Sequence, residues 1–520
     1  MILSKRKKMN SFKPLLTSLA AATLLASTLG ADSMYERFEA MEKEMQKLKA
    51  EIASLKGKKT LAAIKNIEVD EEGSDDEEGD YHDDELEERI DDIEESIAEI
   101  NRNTAGSHLK FNVDYRFAIE NMHYKMADGS KADNDAFMTN RIWLNMGYQA
   151  TNNLSFAAQL AYNKAFGARS GSSDPRNGSF ETFDWISNEN AFDDQLRVRS
   201  AYIFYKDMEF MGYDIPWTFS IGRRPSTDGH LVNLRDDTRE NSPLGHSINV
   251  EFDGLSSSFM LNKETGTYVK LCAGRGMSNA SPRFSSTPYS KNSVDNSSID
   301  LAGLIFVPYD DRTYQIATQY YYAANLIDVK NPADYTQGFD TVGNMHSGTI
   351  HLKTTGLGGS YSEFLYDTIF FASFAVSKTD PKSNQSMLGA DLGKSRSGTS
   401  FWLGTQFPSL ISDEGRWGVE YNHGSKYWRS VTYGEDTNIG SKLATRGDAY
   451  EAYMTEYLVE DVLSLQLRYT YIDYKYSGSN GFFGGTSGAA MSMSDARAFG
   501  IGDQVVDKAQ DIRLYLRYKY

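Results

Sequence analysis

One cysteine, Cys272, occurs in 520 residues. That excludes an internal disulfide and gives no metal cluster, so a free thiol, buried or facing a lumen, is the default reading. Proline is scarce at 11, and beyond the N-terminus no apolar run reaches the length of a membrane-crossing helix. Catalytic signatures are missing too: there is no Walker A sequence, no H-E-x-x-H, no G-x-S-x-G and no Rossmann fingerprint. His346 and His351 lie close in sequence without Cys or carboxylates at ligand spacing, and His230 and His246 read as solvated loop residues. No cofactor, metal or nucleic-acid partner is expected. The chain does not read as an enzyme, although a barrel lipase would carry its Ser and His on the outer wall with no local motif.

What is present begins with a leader. Lys5, Arg6, Lys7, Lys8 and Lys13 precede the apolar run PLLTSLAAATLLASTLG, so residues 1–30 read as a signal peptide, with Met9 as a second candidate start. No Cys follows it, which argues against a lipid anchor. An exported chain without a membrane-crossing helix is periplasmic, secreted or a barrel. Aromatic residues decide among these: 32 Tyr and 27 Phe at a mean hydropathy of −0.51 suit strands that alternate apolar and polar residues.

After the leader come two heptad segments. Over 31–57, Met34, Phe38, Met41, Met45, Leu48, Ile52 and Leu55 recur at 4, 3 spacing. Over 85–103, Leu86, Ile90, Ile93, Ile97 and Ile100 repeat the rule. Such seams predict a coiled coil, and Ile at both core positions favours trimers or tetramers; a hairpin of two amphipathic helices is the alternative. The stretch 58–84, with the tract DEEGSDDEEGD, reads as a solvated acidic linker. Residues 31–105 hold 25 acids against 10 bases, so most of the net charge of −18 belongs to this arm and little to the rest.

From His108 the period changes to two. The last ten residues, DIRLYLRYKY, place Ile512, Leu514, Leu516, Tyr518 and Tyr520 on one face and Asp511, Arg513, Tyr515, Arg517 and Lys519 on the other. This segment resembles the C-terminal strand of bacterial outer-membrane barrels, which ends on an aromatic residue and closes the barrel. Alternation also runs through Phe111–Ile119, Ile142–Tyr148, Leu154–Tyr162 and Leu463–Tyr471. Short links fall near 150–153, 206–214, 252–255, 308–312, 354–361, 407–415 and 458–461. Long polar ones fall near 122–135, 164–194, 225–247, 264–297, 327–345, 379–397, 422–447 and 477–507. Long and short take turns, as in outer-membrane barrels. The expected fold is all-β, a transmembrane antiparallel β-barrel over 108–520 of about 16 strands, with 14 to 18 also compatible, preceded by the helical coiled-coil arm.

The fifth strand and its loop, WTFSIGRRPSTDGHLVNLRDDTRENSPLGHS, hold the densest charge. The segment is similar in place and character to the third loop of general porins, which folds into the barrel. That resemblance implies a constriction in which Arg224 and wall arginines Arg116, Arg141, Arg197 and Arg199 face Asp228, Asp236, Asp237 and Glu240 across the pore. Arg235 and Arg239 would share the loop, and the alternative is an exposed, salt-laced loop. Inward positions carry Lys110, Arg116, Arg141, Arg197, Arg199, Arg468, Arg513, Arg517 and Lys519 against Asp114, Glu120 and Asp511, which leans the wall towards anions. The order of parts, with Gly222-Arg223-Arg224-Pro225-Ser226-Thr227 and the terminal strand, resembles a bacterial family of porin-like outer-membrane proteins of unknown function. The expected function is a porin-like channel for passive diffusion of small hydrophilic solutes, a homotrimer in outer-membrane lipid with its arm in the periplasm. The alternative is a structural tether to the periplasm or cell wall, anchored by a closed barrel.

Overall fold

The computed structural model describes residues 109–166, 191, 195–276, 298–331 and 339–520. The chain divides into two units, Met1–Ser107 and His108–Tyr520. The leader, both heptad segments and the acidic linker lie outside the described residues.

Alternating residues from Leu109 onward form long strands because each buries one face inside and leaves the other apolar towards lipid. β1 (Leu109–Met126) and β2 (Lys131–Gln149) make a tall hairpin. β3 (Leu154–Ala165), β4 (Leu196–Asp207) and β5 (Trp217–Ser226) follow. Next come β6 (Ile248–Asn262), β7 (Thr267–Gly276), β8 (Ile299–Asp310) and β9 (Tyr314–Val329). β10 (Phe339–Thr355), β11 (Ile369–Pro381), β12 (Ser397–Pro408) and β13 (Arg416–Gly424) continue the wall. β14 (Gly447–Val459), β15 (Leu463–Tyr474) and β16 (Val506–Lys519) complete it. Each strand pairs antiparallel with the next, and β16 returns to β1 in a register running from Asp114↔Lys519 to Met126↔Val506. Tyr520 exchanges both backbone hydrogen bonds with Val113, so the terminal aromatic residue seals the seam. The fold is a closed 16-stranded antiparallel barrel, as the alternation and loop rhythm predicted.

Two of the expected links are corrected. FDGL at 252–255 is not a turn but the middle of β6, where Gly254 lies opposite Gly222 on β5 and Gly274 on β7. The reason is a close approach: a Cβ at 254 would stand 2.2 Å from the Ala273 carbonyl oxygen. The turn sits at 263–266, with Gly266 at φ +63°, and β7 occupies what reads as the start of a long loop. The expected long link at 122–135 is a tight turn at 127–130, because β1 and β2 keep pairing through His123↔Asp133 to Lys125↔Lys131. Neither correction changes the strand count, since one link is displaced and the other shortened.

The two faces differ sharply. Outward residues such as Leu514, Phe374, Leu403 and Ile350 are about two-fifths to half exposed. Their inward neighbours on β16, Arg513 and Arg517, are 1 % and 3 % exposed. A water-filled bore would leave them wet, so something fills the barrel beside them. The long-loop end supplies it. Phe482 and Phe483 from the 475–505 loop pack with Ile327, Met387 and Val431 in the largest apolar cluster, inside the wall. Among the described residues no helix is long and apolar enough to cross a membrane.

Candidate functional site

The strap 227–247 between β5 and β6 enters the bore. Its short helix α1 (Val232–Asp236) has no side-chain cap and is held by burial: Leu231 and Val232 pack on Phe371, Trp402 and Leu443. The carbonyls that a five-residue helix leaves open are taken by the far wall. Gln406 Nε2 donates to Leu234 O at 2.8 Å and Gln466 Nε2 to Arg235 O at 2.9 Å. Arg517 Nη1 donates to Asp236 O at 2.7 Å and Lys519 Nζ to Asp237 O at 3.0 Å. The strap therefore crosses from β5 to β12, β15 and β16.

A second insertion, residues 425–446 between β13 and β14, meets it. Val431 and Thr432 pair parallel with Ile248 and Asn249 at the start of β6, and Trp428 is fully buried. Its carboxylates gather the wall arginines. Asp436 is paired with Arg116 at 2.9 Å, Arg513 at 3.2 Å and Arg141 at 3.7 Å, from three adjacent strands. Burial alone would raise the Asp436 carboxyl; the Arg116 and Arg513 guanidinium groups outweigh it and hold the group well below the usual carboxylate range. Glu435 and Glu451 bind Arg235 at 3.1 and 3.4 Å, joining the two insertions through one guanidinium. Burial works against the Arg235 charge, and Asp236 and Glu451 more than restore it. Lys442 bridges Glu420 and Glu451.

At the other root of the strap, Glu240 accepts from Lys353 and from Gln315 at 3.0 Å and lies 3.0 Å from His230 Nδ1. Burial would raise this carboxyl, and His230 and Lys353 instead keep it below its ordinary range. His246 sits between the hydroxyls of Ser373 (2.8 Å) and Ser400 (2.9 Å), and burial pushes it down to about 3. His230 and His246 are thus buried and partnered, correcting their reading as solvated loop residues: the strap carries them inside.

The residues singled out from sequence separate into three groups. Arg116, Arg141, Arg235 and Asp236 belong to the central network, with Asp237 at its edge 3.6 Å from Lys519. Arg199 pairs with Asp228 at 3.1 Å and with Glu251 at 3.6 Å, while its guanidinium lies 4.3 Å from the Trp143 ring. Arg197 shares that face of β4, in register with Ala161. Glu240 forms the root cluster. Arg224 and Arg239 differ from expectation. Arg224 faces no loop carboxylate among the described residues; it donates to the Ser220 and Ser256 hydroxyls and lies 5.0 Å from the Tyr202 ring. Arg239 is exposed, with no ion pair among the described residues. The central charges are in direct contact rather than facing each other across open water, because the strap spans the bore. Seven ion-paired cations there (Arg116, Arg141, Arg235, Lys442, Arg468, Arg513, Arg517) meet seven carboxylates (Asp114, Glu120, Asp236, Glu420, Glu435, Asp436, Glu451), so the paired groups balance. Sequence reading missed Glu435, Asp436 and Lys442. The signal was an apolar set inside a polar loop, Trp428, Ile439 and Leu443, which marks a loop with somewhere to bury.

Comparison with known proteins adds a family. The family described as "Protein of unknown function (DUF3373)" matches residues 131–520. No curated protein matches the chain. Among solved structures it is similar to OprB of Pseudomonas putida at high pH, with 14 % identity over 81 % of this chain and 96 % of that one, TM-score 0.43. It is similar to the anion-selective porin from Comamonas acidovorans at 9 % identity, covering 79 % and 99 %, TM-score 0.43. Salmonella typhi OmpF in complex with daunomycin gives 9 % identity, 80 % and 99 %, TM-score 0.41. The chain belongs to the DUF3373 family of unknown function, and its described part is a closed 16-stranded antiparallel β-barrel.

Proposed function

We propose that the protein is an outer-membrane channel passing small hydrophilic solutes passively through a bore narrowed by the strap 227–247. The observation that carries this reading is the strap's reach: backbone carbonyls at 234–237 are fixed to β12, β15 and β16 on the opposite wall. A loop pinned at both sides of a bore sets its free cross-section and presents fixed dipoles to whatever passes. In this reading Asp228, Arg235, Asp236, Asp237 and Glu240 with Arg116, Arg141, Arg197 and Arg199 hold the strap that bounds the narrow zone, and chemistry on the solute plays no part. The leader directs export, and the heptad arm lies in the periplasm and trimerises the chain alongside contacts between barrel walls.

A second reading, the barrel as anchor of a tether to the cell wall, is favoured by one observation: the two insertions are bound to each other through Arg235 and Glu435, both 2 % exposed or less. Single-channel recording of the refolded full chain in a planar bilayer separates the two. Small, stepwise conductance, rising several-fold when residues 229–245 are replaced by a short glycine–serine link, supports the narrowed channel. A folded barrel that never conducts supports the anchor.

A further inference from the structure

Away from the balanced centre, a cavity of about 80 Å³ lies between the root of the strap and the inner wall of β5 to β9. One water needs roughly 10–15 Å³, so the space suits several waters or one small organic ion. Its room comes from small wall residues, Gly254, Gly274 and Gly303, and much of its lining is apolar: Phe252, Leu301 and Ile305. Two cations also line it. Arg224 Nη1 donates to the hydroxyls of Ser220 and Ser256, and Lys270 Nζ donates to the Ser242 hydroxyl on the strap. Neither makes an ion pair among the described residues, and there Arg224 Nε, like several wall guanidinium nitrogens, has no hydrogen-bond partner. The central network sets the contrast, for there Arg116, Arg141, Arg235, Arg468, Arg513 and Arg517 are each ion-paired with a carboxylate, while Arg429 and Arg446 of the second insertion rest on backbone carbonyls. A hydroxyl supplies a dipole, not a counter-charge, and two half-buried cations without one favour an anion beside them.

We propose that this cavity binds a small anion with a short apolar body, of the chemistry of a short-chain monocarboxylate. The carboxylate sits between Arg224 and Lys270, where the serine hydroxyls complete its hydrogen bonds, and the alkyl part lies against Phe252, Leu301 and Ile305. The wall's anion preference then resides here and not in the arginines of the centre, which are already neutralised. The inference rests on the channel reading for how the solute arrives, whereas binding itself needs only the folded barrel.

Cys272, the single cysteine, lines the same cavity and reports on it. On the refolded full chain in detergent, an anionic methanethiosulfonate should modify Cys272 roughly ten-fold faster than a cationic one of similar size, since the local field draws anions. Butyrate should slow that reaction and raise the thermal unfolding temperature, whereas butyramide should do neither. Replacing both cations (Arg224→Gln with Lys270→Gln) should erase both effects, and the exchange Arg224→Lys with Lys270→Arg should keep them in an equally folded barrel. Faster reaction of the cationic reagent, or equal effects of butyramide and butyrate, overturns the proposal. So does stabilisation by inorganic phosphate without any by butyrate, which removes the apolar half. The unfolding shift decides the matter if the thiol stays unreactive, and its absence overturns the site. Butyrate binding by a barrel that carries no current would sink the channel reading and leave the site standing.

Discussion

Asp436 is one carboxylate serving Arg116, Arg141 and Arg513, all 4 % exposed or less. Removing one partner of such a group strands the others in low dielectric. Asp436→Asn should therefore lower barrel stability by about 3–5 kcal/mol. Lys125→Ala, which breaks the exposed pair with Asp507, should cost under about 1 kcal/mol. Urea unfolding of both variants in liposomes checks the contrast, and similar losses would contradict the burial argument. One of the strap's two histidines, His246, sets a pH window of its own. His246 stays neutral in the fold down to about 3, while in the unfolded chain it takes a proton below about pH 6.5. Its contribution to stability is thus whole above that pH and is lost as pH falls. Asp436 and Glu240, held low by their cations, contribute fully above the ordinary carboxylate range near pH 4 and lose that contribution only below it. Stability should decline between pH 7 and pH 5 in the wild type, and His246→Gln should flatten that decline. Equal slopes would show that the histidine is not involved.

At the level of elements, the same dipeptide chemistry meant two things. Asp253-Gly254 has the residues of a hairpin turn, yet it lies mid-strand because three backbones approach at Gly222, Gly254 and Gly274. Local preference offered a turn, and cross-strand sterics required a glycine in a strand. Gly254→Ala, with its Cβ 2.2 Å from a carbonyl oxygen, should force the β6–β7 pair apart and cost about 1–3 kcal/mol. Gly303→Ala, whose nearest neighbour would be 3.7 Å away, should be nearly neutral. Heat-modifiable migration on gels reads both, and a stable Gly254→Ala barrel would refute the close approach. The strap was legible as a charged loop whose inward course followed from its resemblance to the third loop of general porins, and the structure adds Leu231 and Val232 as the residues that bury it. Its partner at 425–446 was not legible, because Asp436 meets Arg116 across 320 residues of chain and no local spacing records such a pair.

For the molecule as a whole, the outer wall is an apolar surface that only lipid or another barrel can cover. Leu514 sits mid-way along the outward stripe Ile512, Leu514, Leu516 and Tyr518 of β16. Leu514→Arg should destabilise the inserted barrel by about 2–4 kcal/mol, and Tyr518→Arg, nearer the short-turn end, by roughly 0–1 kcal/mol. Folding titrations into phospholipid vesicles test the depth dependence; equal penalties would remove the stripe from the bilayer.

The amino-acid sequence by itself determined the barrel, a strand count of about 16 within 14 to 18, and its inside and outside. Those follow from a period of two and from the alternation of short and long links, both of which are local quantities. It also marked the wall arginines of the bore and Arg235 of the strap, but not Glu435, Asp436 or Lys442, which meet them or their partners. Only the tertiary structure decided that these charges meet in contact, that Arg224 stands apart with Lys270 over a cavity, and that a second loop shares the lumen. Such pairings join segments hundreds of residues apart, and their free energy depends on burial that exists only once the sheet has closed.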